Sequence, residues 1–389
     1  MIPVRPASPR ARPLGRLLLQ RLAGLLLWSV VPAIAAAPAA SPFLPRSPPG
    51  PQGDPSRVLE PRGLKPFELG LVINDDDPLS RLSGAYYAER RGLPAENVIH
   101  VRFARRGPEM GPAEFLALEA EVARRTPNHV QALALAWTFP FRVGCMSMTS
   151  AFAFGYDTAF CASGCEPTQV SRYFDSDSDA PLRDYFFRPA MLLAGSSLRE
   201  VQRLIDRGIA ADGSLPAGTA YLVHSPDERR NVRAARYAEV RRQLGGRFVI
   251  REEDGPIRGK EDVMFYFIGL QGVPHIARNR FLPGAVADHL TSFGGLLADG
   301  PQMSILRWLE AGATGSFGTV VEPCNFADKF PDPLVLMRHY LGGETLIEAY
   351  WKSVRMPGQG LFVGEPLAAP FRVRAARLPS PVVAPARRP

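Results

Sequence analysis

The chain has 389 residues, of which 46% are hydrophobic and 22% charged, and its formal net charge is +8. This length allows one large or two modest domains, and the apolar content is ordinary for a globular protein. Five arginines precede residue 22 with no acid among them, so the rest of the chain carries 41 Lys and Arg against 38 Asp and Glu. The remaining charge of +3 removes most of the support for nucleic-acid binding.

The N-terminal segment has the layout of an export signal. Arginines lead into an apolar run from Leu22 to Ile34, and small residues follow it up to Ala37. The run is shorter than the ~20 residues that a spanning helix needs, so a cleaved signal over 1–37 is favoured over a membrane anchor. No second apolar span follows, which predicts no stable membrane span in the mature chain.

Composition divides the rest of the chain. Residues 38–63 are rich in Pro, Ser and Gly and predict a linker, and residues 372–389 predict a disordered tail. An α/β domain is predicted over 64–371, with an N-terminal half over 64–240 and a C-terminal half over 241–371.

Strand and helix patterns alternate along this domain. The first half predicts strands at 67–74, 97–103, 130–137, 188–195 and 218–224, with helices at 78–92, 111–126, 197–212 and 232–244. The second half predicts strands at 262–270, 285–292, 314–321 and 360–367, with helices at 302–312 and 333–354. The continuous apolar runs are typical of buried parallel strands. The expected fold is therefore a mainly parallel, doubly wound α/β sheet.

Residues 140–187 have no single periodicity and carry Cys145, Cys161 and Cys165, whereas Cys324 lies far along the chain. We interpret this segment as an insertion or lid held by disulfides. Four cysteines allow three connectivities. Local pairing of Cys161 with Cys165 would leave Cys145 with Cys324, while zinc ligation is disfavoured because no histidine lies nearby.

Three stretches resemble an exported family of bacteria that carry exosortase protein-sorting systems. They are "NDDDPLSRLSGAYYAERRGLPAENVI", "RPAMLLAGSSLREVQRLIDRGIAADG" and the segment from "DHLTSFGGLLADG" to "VGEPLAAPF". The resemblance covers almost all of 64–371 and implies a compartment but no reaction.

A more distant resemblance is to gingipain-type cysteine peptidases, which have a caspase-like fold. It rests on "RPAMLLAGSSLREVQRLIDRGIAAD", "LEAGATGSFGT", "GGETLIEAYWKSV" and "LFVGEPLAAP". The resemblance implies a His-Gly after one strand and a catalytic Cys after the next. This chain has Gln271-Gly272 and Ser292-Phe293-Gly294 at those places, so the cysteine dyad is absent.

Ser292 is the remaining candidate nucleophile, and His289 is the base nearest to it in sequence. Side chains alternate between the faces of a strand, which places these two residues on opposite sides unless the strand has already turned. His275 or His339 could also approach through the fold. A turn that satisfies backbone groups at the strand end is the simpler interpretation.

Polar residues at other strand ends provide further candidates. Asn74 and Asp75 lie between a strand and a helix, where they either cap the helix or bind a metal or polar ligand. "DSDSDAPLRDYF" lacks the Gly and Glu of a calcium-binding EF-hand loop. Glu322 follows the strand at 314–321 and is expected to have a plain structural role. No metal or cofactor is predicted.

The sequence favours an exported, non-catalytic, peptidase-like accessory protein. A peptide or glycan of exported surface proteins would bind in a groove formed by Gln271, Gly272, Ser292, Gly294 and Gly295. The alternative is a hydrolase that uses Ser292 or a rearranged site including Asp75 and His289.

Overall fold

The computed structural model describes residues 62–373, except 163, 164 and 299. The predicted signal at 1–37, nearly all of the linker at 38–63 and most of the tail at 372–389 lie outside these residues. Within the described ranges, none of the helices combines the length and apolar character needed to cross a membrane.

Ten strands of the described chain form one large sheet, and three short strands form a second sheet. The large sheet contains β1 (Leu69–Asn74), β2 (Val98–Val101), β4 (Ala132–Leu135), β7 (Ala190–Leu192), β8 (Thr219–His224), β9 (Val249–Asp254), β10 (Val263–Ile268), β11 (Phe281–His289), β12 (Gly315–Thr319) and β13 (Gly360–Gly364). The small sheet contains β3 (Glu109–Met110), β5 (Arg142–Val143) and β6 (Met146–Ser147).

The helices of the described chain pack against the sheets and connect their strands. They are α1 (Pro78–Arg91), α2 (Pro112–Arg125), α3 (Met148–Phe154), α4 (Pro181–Tyr185), α5 (Leu198–Ala211), α6 (Tyr237–Leu244), α7 (Leu306–Ala311), α8 (Pro333–Leu341) and α9 (Leu346–Ser353).

The large sheet has the strand order β2-β1-β4-β7-β13-β12-β11-β10-β8-β9 and is mostly parallel, although β12 and β13 are antiparallel. All six residues of β10 are buried, as in a strand covered on both faces. The predicted mainly parallel α/β fold with a cysteine-bearing insertion is confirmed. The predicted domain boundaries stay predictions.

Local signals set the helix ends of α1 and α5. Asp77 accepts a hydrogen bond from the Leu79 amide at the start of α1, and Gly92 ends that helix in the left-handed region at φ 61°. Ser197 caps α5 in the same way as Asp77, by accepting from the Glu200 amide.

The single helix predicted at 333–354 is wrong, because α8 ends at Leu341 and α9 begins at Leu346. Gly343 lies between them with φ 94°, a conformation that a continuous helix excludes. The helix predicted at 302–312 is likewise shorter, at 306–311. Strand β9 was not predicted. It lies at the sheet edge and is mostly exposed, so its "VIREED" sequence lacks the apolar run of a buried strand.

The first part of the insertion, residues 140–153, belongs to the core rather than to a lid. Six of the seven residues of α3 are buried. The Ser147 and Thr149 hydroxyls both donate to the Gly360 carbonyl at the start of β13, over 2.6 and 3.2 Å. These contacts join the insertion to a central strand.

All four cysteines are paired, but the predicted local pair is wrong. The disulfides join Cys145 to Cys161 and Cys165 to Cys324. The short loop between β5 and β6 carries Cys145, and its Cα atom lies 5.4 Å from that of Cys161. Because Cys161 faces this loop, Cys165 is left to pair across 159 residues of sequence.

Candidate functional site

The carboxyl ends of β10 and β11 lie side by side, with Ile268 in register with His289. We refer to the segments that follow them, residues 269–272 and 290–295, as the crest loops. They carry Gln271 and Ser292, which the resemblance to gingipain-type peptidases puts at the positions of a catalytic pair.

The ring of His289 is buried, and both of its nitrogens bond within the protein. Trp308 Nε1 donates to Nδ1 over 3.0 Å, so the Nε2 nitrogen carries the proton and donates to the Met303 carbonyl over 3.0 Å. Burial lowers the pKa of His289 to about 3, because the imidazolium would lose its hydration. This histidine is therefore neutral near pH 7 and has no lone pair free for a substrate proton.

The structure does not bring Ser292 and His289 together as nucleophile and base. The Ser292 carbonyl accepts from the Thr319 hydroxyl over 2.9 Å. Its own hydroxyl makes no hydrogen bond to any histidine of the described chain. The His289 ring instead lies under the turn, where a Cβ atom on Gly294 would be 3.3 Å from its Cε1 atom.

The two glycines of the turn serve close packing. The Gly295 amide donates to the Thr319 carbonyl over 3.0 Å, and a Cβ atom on Gly295 would lie 2.5 Å from the Gly318 carbonyl oxygen. Gly294 and Gly295 therefore face protein atoms rather than the predicted groove.

Pro301 and Met303 form hydrogen bonds with Gln271 of the first crest loop. The exposed Gln271 side chain donates to the Pro301 carbonyl over 2.8 Å, and its backbone carbonyl accepts from the Met303 amide over 3.0 Å. The neighbouring Gly272 has free space around it, since an added Cβ atom would meet only the Met303 side chain at 3.9 Å.

A polar cluster that sequence reasoning missed fixes the second crest loop. The Gln302 carboxamide oxygen accepts from the Thr291 hydroxyl over 2.8 Å and from the Phe293 amide over 2.7 Å. Arg230 Nε donates to the same hydroxyl over 3.1 Å. The sequence signal was weak because Arg230 lies 61 residues from Thr291.

Next to His289, Asp288 forms a buried ion pair with Arg233, which also donates to the Ile268 carbonyl over 3.0 Å. Burial raises the pKa of Asp288, although the guanidinium opposes that shift. The pair joins β10 and β11 to the segment after β8, below the crest loops.

Asn74 and Asp75 make separate contacts within the protein. Asn74 is buried, and its amide donates to the Phe103 carbonyl over 2.9 Å and accepts from the Phe103 amide over 3.2 Å. Asp75 lies 2.8 Å from His100 Nδ1, and this hydrogen bond lowers the pKa of the carboxyl. The described residues contain no cluster of three side chains able to hold a metal.

Glu322 shapes its own loop. Its carboxylate accepts from the Cys324 amide over 2.7 Å, and Cys324 has a left-handed backbone at φ 55°. This contact supports the structural role expected for Glu322, since it positions the cysteine for its disulfide.

A cleft of about 470 Å³ opens beside the second crest loop. We call it the crest cleft, and the segments that follow β1, β2, β4, β7 and β11 line it. Its polar lining residues are Arg105, Thr138, Ser196, Ser304, Arg307 and Glu310, and its apolar ones include Leu79, Phe139, Leu297 and Leu306.

The charges of the crest cleft are unequal. Arg307 pairs with Glu310 over 2.7 Å. The exposed Arg105 guanidinium lies 5.3 Å from the centre of the Phe139 ring and makes no ion pair with another described residue. Thr138 is buried and bonds to the Gly195 backbone. Among the described lining residues, Arg105 thus offers a cation beside an aromatic face.

No protein-family model matches the chain, and no curated protein matches it. A solved structure described as "Structure of Protease" is similar over 80% of this chain and 80% of its own length, with 11% sequence identity and a TM-score of 0.43. Similarity at this level defines neither a family nor an activity.

Proposed function

We propose that this chain is a non-catalytic, peptidase-like binding protein that holds an extended peptide in the crest cleft. The observation that carries the proposal is the state of His289. Its ring is neutral and both of its nitrogens are bonded inside the protein, so His289 cannot act as a general base for a substrate at the crest loops. The resemblance to gingipain-type peptidases is consistent with a peptide ligand.

The cleft suits such a ligand in size and chemistry. Its volume of about 470 Å³ falls within the ~300–1,000 Å³ of typical ligand sites. Apolar side chains would seat against Leu297 and Leu306, whereas the cation of Arg105 favours an acidic residue. The proposed ligand is therefore a peptide with an acidic residue next to an apolar one.

Fluorescence anisotropy with labelled peptides tests this proposal. We expect an acidic, apolar peptide to bind more tightly than its Lys-substituted counterpart. Arg105→Gln should weaken binding about two- to fivefold, the range of a solvent-exposed ion pair. Arg172→Gln is the matched control, because Arg172 is exposed and lies outside the cleft. Equal affinities for the two peptides would contradict the proposal, and binding only to a glycan array would replace peptide by sugar.

The alternative function, hydrolysis, rests on the half-buried Ser292. Ester and peptide turnover should be absent from the wild type and unchanged in Ser292→Ala. Turnover that disappears in this variant while the melting transition is retained would establish a hydrolase and refute the non-catalytic function.

We also infer export, in association with exosortase-type sorting. The support is the predicted signal, the family resemblance and the two disulfides, since disulfides persist in oxidising compartments. Cell fractionation should recover a mature chain that begins near residue 38 outside the cytoplasm. A full-length chain in the cytoplasm would exclude export.

A further inference from the structure

A second cavity, of about 300 Å³, shares no lining residue with the crest cleft. Residues of α2, the end of α3 and the segment 182–188 line it. Five of its residues are aromatic, namely Phe152, Phe154, Tyr185, Phe186 and Phe187. We call this cavity the aromatic pocket.

The aromatic pocket contains a cation that no carboxylate of the described chain neutralises. Arg188 is half-buried, and its Nε atom donates to the Val130 carbonyl over 2.9 Å. Burial lowers the pKa of Arg188, and no nearby acid opposes this shift. Glu119 also lines the pocket but forms no ion pair with Arg188. A partly desolvated, unpaired charge is unfavourable, and an anionic ligand would remove that cost.

The rim of the pocket has a second unusual feature. Phe186 is 87% exposed and ends α4 with φ 61°, a position that usually holds Gly or Asn. A bulky side chain is disfavoured in this conformation. Neither its exposure nor its backbone is explained by packing within the described chain, whereas a ligand in the pocket would cover the ring.

We propose that the aromatic pocket binds an apolar or aromatic group that carries an adjacent carboxylate. The carboxylate accepts hydrogen bonds from the terminal nitrogens of Arg188, and the apolar group packs against Phe152, Phe187 and Phe186. Arginine is suited to this role because its planar fork matches a carboxylate. Such a ligand is either a free acid or the C-terminal residue of a peptide.

Calorimetric titration of the mature, oxidised protein with 3-phenylpropionate tests the proposal, with 3-phenylpropanamide as the uncharged control. We expect saturable binding of the acid and at least tenfold weaker binding of the amide. The peptide Gly-Gly-Phe with a free or an amidated C-terminus forms a second pair. Tighter binding of the free-acid peptide than of 3-phenylpropionate would identify a peptide terminus as the source, and the reverse order a free acid.

Arg188→Met keeps the aliphatic length and removes the charge, and it should weaken acid binding about ten- to a hundredfold. Glu119→Gln is the matched control on the same pocket and should not weaken binding. If Arg188→Met does not fold, Phe186→Gly provides the test, because the exposed ring makes little contribution to packing. Equal binding of acid and amide, or undiminished binding in both Arg188→Met and Phe186→Gly, would overturn the proposal.

Discussion

Acid should destabilise this protein through His289 well before its carboxylates titrate. The folded pKa of His289 is about 3 against an ordinary value of 6.5, so between these values the unfolded chain binds a proton that the folded chain excludes. The contribution of His289 to the free energy of unfolding is therefore fully present above pH 6.5 and is lost as the pH falls below that value. At 1.36 kcal/mol per pH unit, the loss by pH 5 is about 2 kcal/mol.

Denaturant unfolding at pH 7 and pH 5, without reductant, measures this loss. In His289→Gln the carboxamide still has an acceptor for Trp308 and a donor for Met303 but cannot titrate, so its stability should change by about 2 kcal/mol less than that of the wild type over this range. His275→Gln is the control, because His275 is exposed, and it should keep the wild-type pH dependence. Equal pH dependence in wild type and His289→Gln would show that His289 is accessible to protons in the folded state and would remove the main support for an inert site.

Three further changes test the packing below and beside the site. Gly295→Ala should lower the free energy of unfolding by about 1–3 kcal/mol, because the added Cβ atom would meet a backbone oxygen at 2.5 Å. Gly300→Ala is the control and should leave thermal unfolding nearly unchanged, because the space around Gly300 is open. Arg233→Met should lower the free energy of unfolding by about 3–5 kcal/mol, because it leaves the buried Asp288 carboxylate unpaired. The loss should be smaller if Asp288 is replaced as well. Removing the Cys165–Cys324 disulfide by double Ser substitution should cost more than removing the other disulfide, because it closes the longer loop; mass analysis of the wild type without reductant should find no free thiol.

The sequence was most informative where one local pattern determines an element. Apolar runs predicted the buried parallel strands, and the helix predicted at 78–92 agrees with α1 at Pro78–Arg91. The same approach missed β9, because Arg251, Glu252 and Glu253 give an edge strand no apolar signal. It also merged α8 and α9, since both have helical periodicity, although Gly343 has a left-handed backbone and Thr345 begins α9 with a capping box.

The site itself depended on contacts that sequence order does not contain. The placement of Gln271 and Ser292 near the carboxyl ends of two neighbouring strands followed from the predicted strands. The neutral, fully bonded state of His289 could not be predicted in this way. Its partners Trp308 and Met303 lie 19 and 14 residues away and act through a side-chain and a backbone hydrogen bond. The prediction of the disulfide pairs failed for a similar reason, since proximity in sequence does not determine which two cysteines lie together in the fold.

The charged outer strand β9 bears on how the protein behaves at high concentration. A sheet edge presents unpaired amides and carbonyls on which another chain can add a strand, and flat apolar edges lead to aggregation. At this edge the side chains of Arg251, Glu252 and Glu253 would meet like charges from a second copy paired in register. Replacing them by Thr and Val would remove the ion pairs of Glu252 with Arg241 and of Glu253 with Lys260, and it would turn this edge of the sheet into a template for fibre growth.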